Sequence, residues 1–330
     1  MVHIDEISGL QRGVVTRNQA LRAGLSADRI RNLVDSGRWQ RLYTGVYATF
    51  TGEVQRPARR WAAVLSAGRG ALLSHRSAAE EVGLIGREEA AGAIHVLIPA
   101  ERRVRRCPGI VVHRATRAGE WRHPVRSPPQ TRVEQTVLDL ASAAGSEDEA
   151  MKWIAAACGR RLTTPRRIAG ALRERPRLLR RAGLGVLLAE AGSGCESVLE
   201  WRYLRAVERA HGLPTAVRQS RRPRPGGESR RPGGGGGWYD DVSYSDYGVH
   251  VELDGQAAHP AEQRWRDYRR DNAVASAGEV VLRYGVADVS ERPCSVAEQV
   301  AAVLRGRGWT GLTRRCGTDC FIAAPAHDAA

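Results

Sequence analysis

The residues best suited to chemistry lie in two short alternating segments, Tyr239-Asp-Asp-Val-Ser-Tyr and Val249-His-Val-Glu-Leu-Asp-Gly, separated by Ser245-Asp-Tyr-Gly248. As two strands joined by a four-residue turn, they pair Tyr244 with Val249 and set Asp241 across from Glu252. Alternation puts Glu252 and Asp254 on one face and Val249, Val251 and Leu253 on the other. Like charges opposite one another on a sheet repel, so this arrangement asks for compensation. A hard divalent ion such as Mg2+, bound by one or two carboxylates plus phosphate oxygens, is one solution. Such an ion would polarise a phosphodiester and lower the pKa of an attacking water. A raised pKa on one carboxyl, without metal, is the other. Asp240 is the alternative to Asp241, the choice resting on the assumed turn length.

The elements that must position these groups follow from the same stretch. Glu196 and Glu200 stand four apart on a helix beginning near Cys195, so one helix face can deliver a further carboxylate. Downstream, His259 is a candidate base or hydrogen-bond donor, and Asp267, Arg270 and Asp271 share a helical face by spacing. Gly278-Glu-Val-Val-Leu-Arg-Tyr reads as a last strand. Residues 218–237, rich in arginine and ending in five glycines, interrupt the first hairpin as a flexible basic segment, either a mobile arm touching phosphates or an inert insertion.

At the other end of the chain, Thr16 opens a helix that Gly24 stops, and Ser26 caps a second. Ile30, Leu33 and Val34 form the apolar stripe of that second helix, and Gly37 ends it. Trp39-Gln-Arg-Leu-Tyr-Thr-Gly-Val-Tyr-Ala then alternates around a Thr44-Gly45 turn, as a small β-wing would. Helix, short turn, helix and wing make a winged helix-turn-helix layout, whose second helix enters a DNA major groove. Arg17, Arg29, Arg31, Arg38 and Arg41 are the available phosphate and base donors.

With 330 residues and 42% hydrophobic content, the chain can bury about two cores, which excludes wholesale disorder. The net charge of +15 suits a polyanionic partner, although 51 basic residues of which Lys152 alone is lysine also fit a GC-rich genome. No apolar run is long enough for a membrane span and no signal segment is visible, so a cytoplasmic protein is expected. The six cysteines read as unpaired thiols: Cys316 and Cys320 have loose metal-like spacing, but no nearby histidine completes a tetrahedral set. His75, His95 and His113 are too scattered along the sequence to read as a chelating group. No nucleotide-binding glycine loop and no serine-nucleophile elbow appears.

Two resemblances sharpen this reading. Val15-Thr-Arg-Asn-Gln-Ala-Leu-Arg-Ala-Gly-Leu-Ser and Gly37-Arg-Trp-Gln-Arg-Leu-Tyr-Thr-Gly-Val-Tyr-Ala resemble the N-terminal domain of AbiEi-type antitoxins of type IV toxin–antitoxin systems. Leu73-Ser-His-Arg-Ser-Ala-Ala, Ile94-His-Val-Leu-Ile-Pro, Gly109-Ile-Val-Val-His-Arg and Gln130-Thr-Arg-Val-Glu-Gln resemble that family's second domain. This likeness spans residues 5–185. It implies a transcriptional regulator that binds its own operator, with a toxin protein as a candidate partner.

Residues 195–308 resemble the PD-(D/E)XK nuclease superfamily, and within it a domain similar to very-short-patch-repair (Vsr) endonucleases. The cues are Ser197-x-x-Glu200, Asp241-x-x-Tyr244, Glu252-x-Asp254-Gly255, His259, Asp267-x-x-Arg270-Asp271-Asn272 and Gly278-x-Val-Val-Leu-Arg283. By this resemblance Asp241 and Glu252 are the metal carboxylates, supported by Glu200, with His259 as base or donor. Asp254 stands where the superfamily pattern has lysine. An arginine such as Arg270 or Arg283, or a second metal, must then supply the missing positive charge, and arginine cannot serve as a base.

The expected fold class is therefore mixed α/β and multidomain. A winged helix-turn-helix fills residues 1–50, an α/β middle domain 56–185, a restriction-endonuclease-like α/β domain 195–308, and a flexible tail 309–330. Two functional readings stay open: a DNA-binding regulator carrying a Mg2+-dependent endodeoxyribonuclease, and a non-catalytic regulator or antitoxin whose nuclease-like domain only binds DNA or a toxin.

Overall fold

A computed structural model describes residues 3–86, 92–223, 237–254 and 276–322. The chain is mixed α/β and divides into two compact units, Met1–Gly185 and Val186–Ala330. Among the described residues no helix is long and apolar enough to cross a membrane.

The first unit opens with α1 (Ile4–Leu10), β1 (Val14–Thr16), α2 (Arg17–Arg22), α3 (Ala27–Asp35), β2 (Gln40–Tyr43) and β3 (Val46–Ala48). The three strands form one antiparallel sheet in the order β1-β3-β2. Thr16 and Gln19 make a reciprocal capping box at α2, each side chain taking the other residue's amide. Ser26 caps α3 through the Arg29 amide. Ile30 from α3 packs with Val15, Ala20, Trp39 and Tyr47.

Gly13 turns the chain into β1 with φ +79°, and a Cβ there would lie 2.5 Å from the Phe50 ring. Gly13→Ala therefore adds both a left-handed strain and a clash, and it is expected to lower stability by about 1–2 kcal/mol in urea unfolding. An unchanged midpoint would show that the Phe50 ring yields without loss.

Next come α4 (Arg56–Ala67), β4 (Leu72–Leu73), α5 (His75–Glu81), β5 (Ile94–Pro99), β6 (Ile110–Ala115), α6 (Val133–Ala143), α7 (Glu147–Gly159), α8 (Pro165–Arg173) and α9 (Arg181–Gly192). One stretch of α4 serves two cores. Ala58, Trp61 and Ala62 pack on Val14 and Val46, while Ala63, Val64 and Ala67 pack on Leu73, Ile94, Val96 and Ile98. The second sheet runs β4-β5-β6, with β5 and β6 parallel. Buried Arg60 of α4 pairs with Glu80 and Glu81 of α5.

In the second unit α10 (Val198–Arg202) continues into a π-helical stretch, Tyr203–Arg209. Then follow β7 (Val217–Pro223), β8 (Gly237–Tyr244), β9 (Val249–Asp254), β10 (Val280–Gly285), α11 (Val286–Glu291) and α12 (Pro293–Gly306). Their sheet order is β10-β9-β8-β7, antiparallel except for the parallel β9–β10 pair. Tyr203, Val207, Val242, Tyr244, Val249, Val251, Val300 and Leu304 build its core. Part of the basic segment is strand: residues 218–223 belong to β7, where the Arg218 side chain is buried against Glu208 at 2.7 Å. Beyond α12, Trp309, Thr313, Cys320 and Ile322 are buried.

Candidate nucleic-acid interface and carboxylate site

Arg17, Arg29, Arg31, Arg38 and Arg41 are all exposed. Burial of Ile30, with Leu33 and Val34 partly covered, turns Arg29 and Arg31 outward from α3. Arg31 holds a solvent-exposed ion pair with Asp28 at 2.9 Å, which costs little to exchange for a phosphate. Arg17 begins α2, and its amide bonds the Gly45 carbonyl at 2.8 Å, so this arginine sits beside the β2–β3 turn. Arg38 precedes β2 and Arg41 lies on it. Five exposed guanidiniums thus project from two consecutive helices and an adjoining hairpin.

The β8–β9 hairpin has the expected turn. Ser245–Tyr247 form a single 3-10 turn, Gly248 is left-handed at φ +60°, and Tyr244 pairs with Val249. The ladder runs outward through Ser243–His250 to Val242–Val251. Asp241 and Glu252 are the next residues along the two strands. There a side-chain oxygen enters the pairing: Asp241 Oδ2 accepts the Leu253 amide at 2.8 Å. Opposite Asp241 on β7, Gln219 adopts φ +50° and the β7–β8 ladder skips it. The amide of its side chain reaches Glu200 Oε2 at 3.3 Å.

Glu200 is buried at the start of α10 and accepts the Glu196 amide at 2.9 Å. Burial pushes its carboxyl above the usual range, against hydrogen bonds from Glu196, Ser197 and Gln219; the negative charge of Asp241 pushes it further upward. Glu252 is buried and meets Arg283 Nη2 at 3.0 Å, across the parallel register that pairs these two residues. Arg283, one of the two arginines put forward as a replacement for the missing lysine, therefore stands beside the second carboxylate. Asp254 ends β9 half-buried, in register with Gly285. His259 and Arg270, with Asp267, Asp271 and Asn272, lie outside the described residues.

His250 is the residue that sequence reasoning passed over, and it meets Asp240, the alternative left open beside Asp241. Asp240 is fully buried, with Oδ2 3.0 Å from His250 Nδ1. The same nitrogen lies 3.1 Å from Ser243 Oγ, and His250 Nε2 is 3.8 Å from Glu279. By alternation His250, Glu252 and Asp254 share a face, so both members of the Asp240-Asp241 doublet approach the acidic edge of β9. The His-x-Glu-x-Asp spacing was the available signal.

The middle-region histidines correct a sequence expectation, because the fold collects them. The His75 and His113 rings stack at 3.6 Å, and His95 Nδ1 lies 3.0 Å from His113 Nε2. In register, β6 sets His113 beside Leu97, two residues from His95 on β5. Burial, His95 and Arg175 push the His75 imidazole down to about 3. Burial with His75 and His95 push His113 down to about 4 against the pull of Asp139. Burial, with Arg76 and Arg56, also lowers His95. At neutral pH this is an uncharged stack in which one ring nitrogen donates to the next.

Comparison with known proteins adds three findings. No curated protein matches the chain. Among solved structures, the RV2827C protein from Mycobacterium tuberculosis is similar at 21% identity and a TM-score of 0.40, over 57% of this chain and 76% of that one. Residues 4–49, the segment that carries Arg17, Arg29, Arg31, Arg38 and Arg41, match a family model described as a transcriptional regulator, AbiEi antitoxin.

Proposed function

We propose that the chain is a DNA-binding transcriptional regulator of the AbiEi antitoxin type, reading DNA through a winged helix-turn-helix at residues 1–50. The observation that carries this is the set of exposed arginines on α2, α3 and the hairpin within the matched segment. In this reading α3 enters the major groove, with Arg29 and Arg31 at its N-terminal half and Arg17, Arg38 and Arg41 on flanking phosphates. A toxin protein is the proposed second partner.

The test is a mobility shift on DNA from upstream of the chain's own gene. Arg29→Ala with Arg31→Ala is expected to weaken binding about tenfold and to flatten the dependence of log K on log salt by about two. Unchanged affinity and slope would reject α3 as the reading helix.

A second reading is favoured by the acidic edge of β8 and β9. Here the chain also hydrolyses phosphodiester bonds, and Asp241 and Glu252 hold Mg2+. The donor set is all oxygen, as Mg2+ prefers, and two carboxylates suffice when phosphate and water complete the shell. Asp241 is oriented by the Leu253 amide and Glu252 by Arg283. When bound, the ion would polarise the phosphodiester and acidify a water. Arg283 supplies positive charge where Asp254 replaces lysine, Glu200 bears on Asp241 from α10, and the proton-accepting role falls to His259.

A further inference from the structure

Cys316 and Cys320 read from the sequence as thiols with no histidine to complete a tetrahedral set; the fold brings in both missing donors. His211, Cys294, Cys316 and Cys320 each offer one ligand atom, and these four atoms lie within 4.8 Å of one another. All six cysteines of the chain are free. The sulfurs of Cys294 and Cys316 are 3.6 Å apart. A disulfide needs about 2.0 Å, whereas two thiolates on one tetrahedral zinc, each at about 2.3 Å, stand roughly 3.8 Å apart.

The imidazole is set up independently. His211 is fully buried, and its Nδ1 faces the Val207 carbonyl at 3.1 Å. A carbonyl only accepts, so Nδ1 carries the proton and Nε2 presents a lone pair. That Nε2 is buried and has no hydrogen-bond partner. A backbone carbonyl fixing the tautomer of a ring whose other nitrogen is left for an ion is the usual outer support of a metal-bound histidine. An imidazole nitrogen and three sulfurs form a soft, closed donor set that suits zinc rather than Mg2+.

We propose that His211, Cys294, Cys316 and Cys320 hold a structural Zn2+ ion. On binding, the three thiols release their protons to solvent and His211 coordinates through Nε2 as the neutral ring. Four protein ligands fill the tetrahedron, leaving no position for water, so the site holds structure and performs no catalysis.

The fold shows what it would hold. Residues 307–322 form no helix or strand, yet Cys320 and Ile322 are buried in the core of the second unit. The polar ties of this stretch to the rest of the unit include the Arg314 amide on the His211 carbonyl at 2.9 Å and Arg305 on Thr313 at 2.9 Å. An ion joining this coil to the first turn of α12 and to the chain just beyond the π-helical stretch would close it onto the core.

The experiment uses the full chain, reduced, stripped with chelator and verified as folded by circular dichroism. Added Zn2+ is expected to bind at about one ion per chain. Added Co2+ should give thiolate charge-transfer and tetrahedral d–d absorption. Cys316→Ser, at an exposed position, is expected to weaken zinc at least about 100-fold and to dim the Co2+ thiolate band, while Cys107→Ser changes neither. Zinc should raise the melting temperature of wild type and leave that of Cys316→Ser unmoved. Three results would overturn the proposal: no zinc and no Co2+ thiolate band in folded, reduced wild type; equal zinc affinity in Cys316→Ser; or a Cys294–Cys316 disulfide, found by mass spectrometry, as the form that persists when zinc is present.

Discussion

Asp241→Ala and Glu252→Ala should each remove Mg2+-dependent nicking of supercoiled plasmid, by about a thousandfold, while leaving the mobility shift on upstream DNA intact. The size reflects the several kcal/mol of charge stabilisation a metal contributes to phosphoryl transfer. The separation of the two readouts follows from the fold: both carboxylates belong to the second unit, and the five arginines belong to the first. Removing Glu252 also takes away an ion-pair partner of Arg283, which it meets at 3.0 Å. Glu252→Gln keeps an acceptor for that guanidinium and removes only the charge, so it should fold as wild type and still fail to cut. Arg283→Met should slow cutting without changing its metal requirement, because a guanidinium that balances charge does not bind the ion. Mg2+ or Mn2+ with wild type, tried on duplex, single-stranded and mismatched DNA, decides the matter. If nothing is cut, or if cutting survives in both alanine variants, the hydrolytic reading fails and the regulator reading stands untouched.

What the sequence disclosed was local. Thr16 and Ser26 announced the starts of α2 and α3 because a cap needs only the residue itself and an amide three positions on. The Ser245–Gly248 turn fixed the Tyr244–Val249 register because hairpin length sets pairing. The face assignment on β9 held as well, with Val249 and Val251 in the core. Alternation failed as a guide one residue past the ladder. There Asp241 trades a main-chain partner for the Leu253 amide, and Asp240 reaches His250. The kink at Gln219 that accompanies this carries no signature, since a glutamine at positive φ is held there by its surroundings.

The clusters were illegible for a different reason. His75, His95 and His113 come from the start of α5 and from two parallel strands, and parallel strands meet only after a long connection. Likewise His211 precedes the whole sheet of the second unit, while Cys294, Cys316 and Cys320 follow it. Spacing rules detect ligands that share one helix or one hairpin. They are blind to ligands assembled by packing.

The histidine stack should make the first unit acid-labile in a specific window. An imidazole in the unfolded chain protonates near its ordinary value of 6.5, whereas His75 in the fold resists until about 3 and His113 until about 4. Between those limits the unfolded state binds more protons. Stability contributed by the neutral rings is therefore complete above about pH 6.5 and is lost as the pH falls toward the folded values. From His75 alone the loss between pH 6.5 and 4 is roughly 3 kcal/mol, a large share of the margin of an ordinary domain. Asp139 beside the stack works the other way: burial raises its carboxyl against the pull of Arg175, so acid relieves a cost there. The difference between wild type and His75→Gln separates the two contributions. Urea unfolding at pH 7, 5.5 and 4.5 should show wild type losing stability more steeply, by about one bound proton per unfolding event across that range. Parallel losses in the two proteins would mean that the stack is not what acid attacks, and that His75 is protonated in the folded chain as readily as in water.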